Sequence, residues 1–179
     1  MRIIAGRFRG RKLKELKAEG VRPTLDRVRE NLFNIISQDV RDSVFLDLFS
    51  GSGAIGFEAM SRGASEVVFS DLSKAVVEHI KSNAKELGES VTVICADYKS
   101  TLKRLVKRFD IVYLDPPYDF NEKELLYELS KSKILDTKTL VIYEHNSEKP
   151  FKNEENRFCV VDERKYGIAT LTFLRKIDE

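Results

Sequence analysis

The stretch DLFSGSGAIGFEAM, residues 47–60, decides the fold. It carries the end of an apolar run (VFLDLF, 44–49) through a glycine loop into a helical pattern over about 54–62. Strand, glycine loop and helix in that order open a unit in which a ligand approaches the backbone at the end of a strand. Downstream the chain keeps alternating. Strand-like runs at 66–71, 91–95, 110–115 and 138–145 are separated by helical patterns at 73–87, 98–108 and 121–131. Gly63 and Gly88 stand where two of these helices should end. Continuously apolar strands between helices predict a mostly parallel sheet covered on both faces, an α/β Rossmann-like fold.

The two ends depart from the alternation. RFCVVDERKYGIATLTFLRK holds two strand runs around a turn at ERKYG, predicting an antiparallel hairpin added to the sheet. At the other end, RIIAGRFRGRKLKEL reads as a small β-hairpin turning through RFRG, and VRPT punctuates it. These features divide the chain into a hairpin arm (1–23) and a body (24–179). A helix is expected from Leu25, with Leu25, Val28, Leu32, Ile35 and Ile36 on its apolar face and Thr24 or Asp26 as cap. Arg27 and Arg29 should then project away from that face.

The chain has 179 residues and a net charge of +2 that hides an asymmetry. Residues 1–29 hold ten Lys/Arg against three acids, a net +7; the other 150 hold 21 against 26, a net −5. A basic arm on a mildly acidic body suits a polyanionic partner, and its arginines suit bidentate phosphate contact. Arg7, Arg9, Arg11, Lys12, Arg22, Arg27 and Arg29 are the candidates. No window approaches the ~18 apolar residues of a membrane span, and the N-terminus lacks the apolar core of a secretory signal. Cys95 and Cys159 lie in apolar runs and are expected to be reduced core residues of a cytoplasmic protein. No Cys/His cluster has metal-ligand spacing, so no metal is expected. His79 and His145 read as ordinary structural histidines. Nothing demands a dimer, so a monomer is expected.

The glycine loop narrows the ligand. Gly51, Ser52, Gly53 and Gly56 satisfy G-x-G-x-x-G, and Asp71 ends the next strand 20 residues after Gly51. That pattern fits a ribose-bearing ligand whose hydroxyls Asp71 accepts. Asp47 and Phe49 precede the loop as D-x-F-x-G-x-G, and a carboxylate there suits a cationic amino group. NAD offers no ammonium; S-adenosylmethionine does. Asp97 follows the third strand and has two open readings, an acceptor for an adenine amine beside Tyr98 or a helix N-cap.

The fourth strand ends in YLDPPYDF, residues 113–120. Pro116 and Pro117 have no N–H and hold the turn stiff. The Asp115 carboxylate and the Pro116 carbonyl become two acceptors aimed at one point, and Tyr118 offers a stacking face. A substrate that donates, such as the exocyclic amine of a nucleobase, fits this turn. Stacking a base on such a ring is worth roughly 1–3 kcal/mol.

These stretches together resemble the RsmD family, bacterial methyltransferases of the class I fold that modify guanine N2 in small-subunit (16S) rRNA. IIAGRFRGRKL, RPTLDRVRENLFNII (22–36), DLFSGSGAIGFEAMSRGA, DPPY and ERKYGIATLTF carry the likeness over nearly the whole chain. The resemblance implies S-adenosylmethionine as cofactor and S-adenosylhomocysteine as product, and 16S rRNA in the small subunit or its assembly intermediate as partner. The family commonly shows a second acid after the second strand; here Asp71 is followed by Leu72 and Ser73, leaving Leu72 in the cofactor set beside Asp71. DPPY alone does not separate guanine N2 from adenine N6, so an adenine-N6 methyltransferase is the nearest alternative. A non-catalytic assembly factor that binds S-adenosylmethionine and an NAD dehydrogenase are further ones; the chain lacks an evident hydride-transfer acid or base for the latter.

Overall fold

The computed structural model describes residues 1–16, 26–154 and 157–177. Seven strands form one sheet in the order β3-β2-β1-β4-β5-β7-β6. In chain order the elements are α1 (Asp26–Ile35), α2 (Ser37–Val40), β1 (Val44–Asp47), α3 (Ala54–Ser61), β2 (Glu66–Asp71), α4 (Lys74–Leu87), β3 (Thr92–Cys95), α5 (Tyr98–Arg104), β4 (Ile111–Leu114), α6 (Glu122–Lys131), β5 (Leu140–Asn146), β6 (Phe158–Tyr166) and β7 (Ala169–Lys176). Strands β1 to β5 run parallel, and the expected C-terminal hairpin, β6 and β7, joins antiparallel beyond β5. The chain winds outward from β1 to β3, returns to β4 beside β1, and winds the other way. The reversal lies between β1 and β4, where an open α/β sheet leaves a crevice beyond its strand ends.

Side chains alternate between two cores. Phe45, Phe69, Tyr113, Ile142 and Phe173 face one side, under α1, α3 and α4. Leu46, Val68, Val112, Leu114, Val141, Tyr143 and Leu174 face the other, under α5 and α6. Both faces are therefore dry, which is why the inner strands read as unbroken apolar runs. Gly88 ends α4 in the left-handed region (φ 75), with its N–H and that of Glu89 returned to Lys85 and Ala84 carbonyls.

Three expectations need correction. Cys95 and Cys159 are exposed rather than core. They lie on β3 and β6, the two edges of the sheet, and strand order is invisible in a periodicity. Arg29 is 1 % exposed. Its guanidinium donates to the Arg2 carbonyl at 2.7 Å and to Asp26 Oδ1 at 2.9 Å, and lies 3.9 Å from Glu58. It is an interior tie of α1, with no reach to a phosphate. Correspondingly α1 buries Val28, Leu32 and Phe33, while Ile35 is exposed. Arg22, Thr24 and Leu25 lie outside the described residues.

The N-terminal segment lies flat on the body. Backbone bonds from Ile3 to Arg11, Gly10 to Ile3 and Leu13 to Met1 hold the expected hairpin, and Ile3 and Leu13 enter the core under α1 and α3. Glu58 of α3, itself buried, accepts the N–H groups of Ile4 and Ala5 at 2.9 and 3.0 Å and the Arg62 guanidinium at 2.7 Å. Gly6 (φ 84) presses on the Ser61 carbonyl, with no room for a Cβ. The tip therefore sits at the C-terminal ends of α3 and α4. Arg7 pairs with Glu89 at 2.6 Å and Arg11 donates to the Glu86 carbonyl at 3.0 Å.

Candidate functional site

A cleft of about 1250 Å³ opens beyond the carboxyl ends of the parallel strands. Its walls include Phe49 and Gly51 after β1, Asp71 and Leu72 after β2, Asp97 and Tyr98 after β3, and Asp115, Pro116, Pro117 and Tyr118 after β4. Residues spread over seventy positions of sequence meet here because each follows a parallel strand.

The glycine loop is held from beneath. Asp71 Oδ2 accepts the Gly51 N–H at 3.0 Å and Oδ1 accepts that of Ser73 at 2.9 Å. Ser50 Oγ donates to the Asp47 carbonyl at 2.7 Å. Gly53 takes φ 78 as the N-cap of α3, and a Cβ on Gly56 would lie 2.2 Å from the Phe69 ring. So the helix can seat this close to β2 only without a side chain there.

Asp47 is not among the cleft walls. It is 1 % exposed, and its Oδ2 accepts the Gly56 N–H at 3.1 Å. Burial pushes its pKa up to about 7, with repulsion from Asp71 adding and the Gly56 bond opposing. The structure places it as an anchor of α3 under the loop, behind the cleft wall. Ser52 likewise turns toward the N-terminal segment, its hydroxyl 3.8 Å from the Met1 sulfur. Asp97 caps α5, accepting the Ser100 N–H at 3.0 Å and hydroxyl at 2.6 Å, and still borders the cleft. These bonds hold its carboxyl below the ordinary range.

Phe49, Tyr98 and Phe120 form an aromatic trio, with centroids 5.2 to 6.0 Å apart. The DPPY turn closes through a bond from the Phe120 N–H to the Pro117 carbonyl at 3.1 Å. Tyr118 remains 60 % exposed. Its hydroxyl accepts from Asn146 Nδ2, and the Lys149 ammonium lies 5.5 Å from the ring centroid.

The end of the fifth strand and the loop after it supply wall residues that sequence reasoning missed. Glu144, His145, Asn146 and Lys149 all line the cleft. Tyr113 donates its hydroxyl to Glu144 Oε2, and His145 Nε2 lies 2.8 Å from the Thr172 hydroxyl. The available signal was their place at the end of the strand after DPPY's own. The hairpin arginines are at the opposite end. Helix α4 alone, at 14 residues, separates the tip from the cleft by about 21 Å.

A family profile described as "Conserved hypothetical protein 95" matches residues 1–175. The chain is 40 % identical over 176 residues to the ribosomal RNA small subunit methyltransferase D of Haemophilus influenzae, covering 95 % of this chain and 91 % of that one. It belongs to this family, the RsmD family. Among solved structures, the yhhF protein of Escherichia coli superposes with a TM-score of 0.87 at 30 % identity, covering 98 % of this chain and 97 % of that one. A hypothetical protein of Thermus thermophilus gives 0.84 at 28 % identity and 99 % coverage of both. The likeness to these structures thus extends over the N-terminal hairpin as well as the sheet.

Proposed function

We propose that this RsmD-family chain transfers a methyl group from S-adenosylmethionine to the exocyclic N2 of a guanine in 16S rRNA of the small ribosomal subunit. The observation that carries the reading is the shared cleft. Asp115 and Pro116 end β4 beside the glycine loop of β1, across the point where the sheet reverses.

The cleft residues fit the cofactor. An ionised carboxylate has about four acceptor positions, and two of Asp71's are taken by Gly51 and Ser73. The remaining ones suit ribose hydroxyls. Gly51 allows close backbone approach, and Leu72 with the aromatic trio offers an apolar wall for a flat ring, with Asp97 as acceptor for its amine. When bound, the sulfonium supplies an electrophilic methyl. Asp47 then contributes by fixing α3 and the loop.

On the substrate side the chain's work is positioning and electrostatics. Asp115 and the Pro116 carbonyl accept from the amine's two N–H groups and aim its nitrogen at the methyl. The rigid prolines keep the acceptors in place without reorganisation. Asp115 takes the proton once the nitrogen has become cationic. Tyr118 stacks on the base, which has to leave its own stack to enter the cleft. Arg27, beside the cleft-lining Val28, and the exposed Arg7, Arg9, Arg11 and Lys12 of the hairpin contact phosphates; Arg22 completes the set. The substrate particle is far larger than the enzyme, so one RNA surface can meet both ends.

The test uses tritiated-methyl S-adenosylmethionine and small subunits from cells lacking the endogenous activity, with the rRNA digested to nucleosides. Label in N2-methylguanosine, lost in Asp115→Asn while calorimetry still shows cofactor binding, supports the reading. Label in N6-methyladenosine, or label undiminished by Asp115→Asn, overturns it.

A further inference from the structure

Glu144 has no part in the mechanism above, yet it lines the same cleft as Asp115. Register pairs Leu114, the last residue of β4, with Tyr143 of β5, so Asp115 enters the turn just past β4 where Glu144 continues the neighbouring strand. Leu114 and Tyr143 both point into the core under α5 and α6. Alternation then sends Glu144 to the opposite face, that of Tyr113, whose hydroxyl it accepts. The Tyr113 hydroxyl is held protonated: burial, then the charges of Glu144 and Asp115, push its pKa well above the usual phenol range. It therefore serves as a fixed donor that aims Glu144.

A second carboxylate beside Asp115 has a chemical meaning that depends on the base. Guanine presents its N1–H directly next to its 2-amine, an unbroken row of donors. Adenine's amine is flanked by ring nitrogens that accept. Against an acceptor-lined wall the first edge is satisfied and the second sets lone pairs against a carboxylate.

Resting on the guanine reading above, we propose that Glu144 is a specificity-determining residue that accepts the N1–H of the target guanine while Asp115 and Pro116 hold its 2-amine. The turn presents acceptors that suit any aromatic amine; Glu144 restricts which one. Such a site rejects a base lacking the donor because the acceptor that the bound base covers is left facing a lone pair.

The experiment uses small subunits reconstituted from rRNA carrying guanosine or 2-aminopurine riboside at the nucleotide identified by the labelling experiment. 2-Aminopurine keeps the 2-amine but has an acceptor at N1. Wild-type enzyme is expected to favour guanosine by about 100-fold or more in kcat/KM. In Glu144→Gln, whose amide can place an NH₂ at N1, that preference is expected to shrink by at least about tenfold. Intrinsic reactivity of the two amines is common to both enzymes, so the ratio of ratios isolates position 144. Tyr113→Phe, which removes the aiming hydroxyl, is expected to shrink the preference part-way and carries the test should Glu144→Gln fail to fold. Calorimetric binding of S-adenosylmethionine verifies the fold of each variant. An unchanged preference in the folded variants, or no preference in the wild type, overturns the role of Glu144 alone. Label in a nucleoside other than N2-methylguanosine overturns the guanine reading, and this role with it.

Discussion

Asp71 accepts the backbone N–H of Gly51 at 3.0 Å, joining the end of β2 to the loop that leaves β1. The acid that sequence spacing suggests for a ribose is thus also a strut of the glycine loop. A substitution there acts twice, on the cofactor's hydroxyls and on the shape of the loop. Asp71→Ala is expected to weaken S-adenosylmethionine binding by roughly 10- to 100-fold, since a hydrogen bond to a charged group contributes about 1.5–3 kcal/mol. Isothermal calorimetry checks this. Asp71→Asn retains one acceptor and is expected to lose less.

Gly56 is where the loop unit tolerates least. A Cβ there meets the Phe69 ring at 2.2 Å, and Phe69 sits in the core under α3. Gly56→Ala gains helix propensity of up to about 1 kcal/mol but must displace α3 from β2, an overpacking cost of about 1–3 kcal/mol or more. The second effect wins. Urea denaturation is expected to show a net loss of stability, and Phe69→Leu in the same chain to recover part of it.

What the sequence conveyed follows from which interactions are local. Strand and helix placement was legible because doubly covered strands are continuously apolar and their helices are not. The loop and DPPY were legible because each packs its chemistry into a few consecutive residues. Cys95 and Cys159 misled because edge position depends on strand order. Arg29 misled because its burial depends on Arg2 and Glu58, 27 positions before and 29 after it. Glu144 was one acid at a strand end, meaningful only beside Tyr113 and Asp115.

Arg29 and Arg27 therefore separate by experiment. They are two residues apart on α1, one buried and one exposed. Removing one partner of a buried charge cluster costs on the order of 3–5 kcal/mol; here Arg62 stays with Glu58, so Arg29→Ala is expected near the lower end, about 3 kcal/mol. Arg27→Ala is expected to leave stability within about 0.5 kcal/mol. It should instead reduce affinity for rRNA and shrink the log–log salt slope by about 0.7 to 0.9. Denaturation and filter binding across a salt series read the two effects independently.

Asp47 gives the fold a pH dependence of unusual sign for a carboxylate. Its pKa in the folded chain is pushed up to about 7 from 3.8, chiefly by burial. Between those values the folded state holds a proton that the unfolded state has released. Stability through this group is therefore greatest below about pH 4, falls as pH rises toward 7, and levels off above it. Asp47→Asn keeps an acceptor for the Gly56 N–H and removes the charge. The variant is expected to gain on the wild type as pH rises, by a few kcal/mol at pH 8, with the difference closing toward pH 4. Paired urea melts at intervals from pH 4 to 8 measure it, and taking the difference between the two proteins cancels the other titrating groups. A difference constant over that range would mean that Asp47 is ionised throughout, and that the loop of β1 rests on a charged carboxylate rather than on a protonated one.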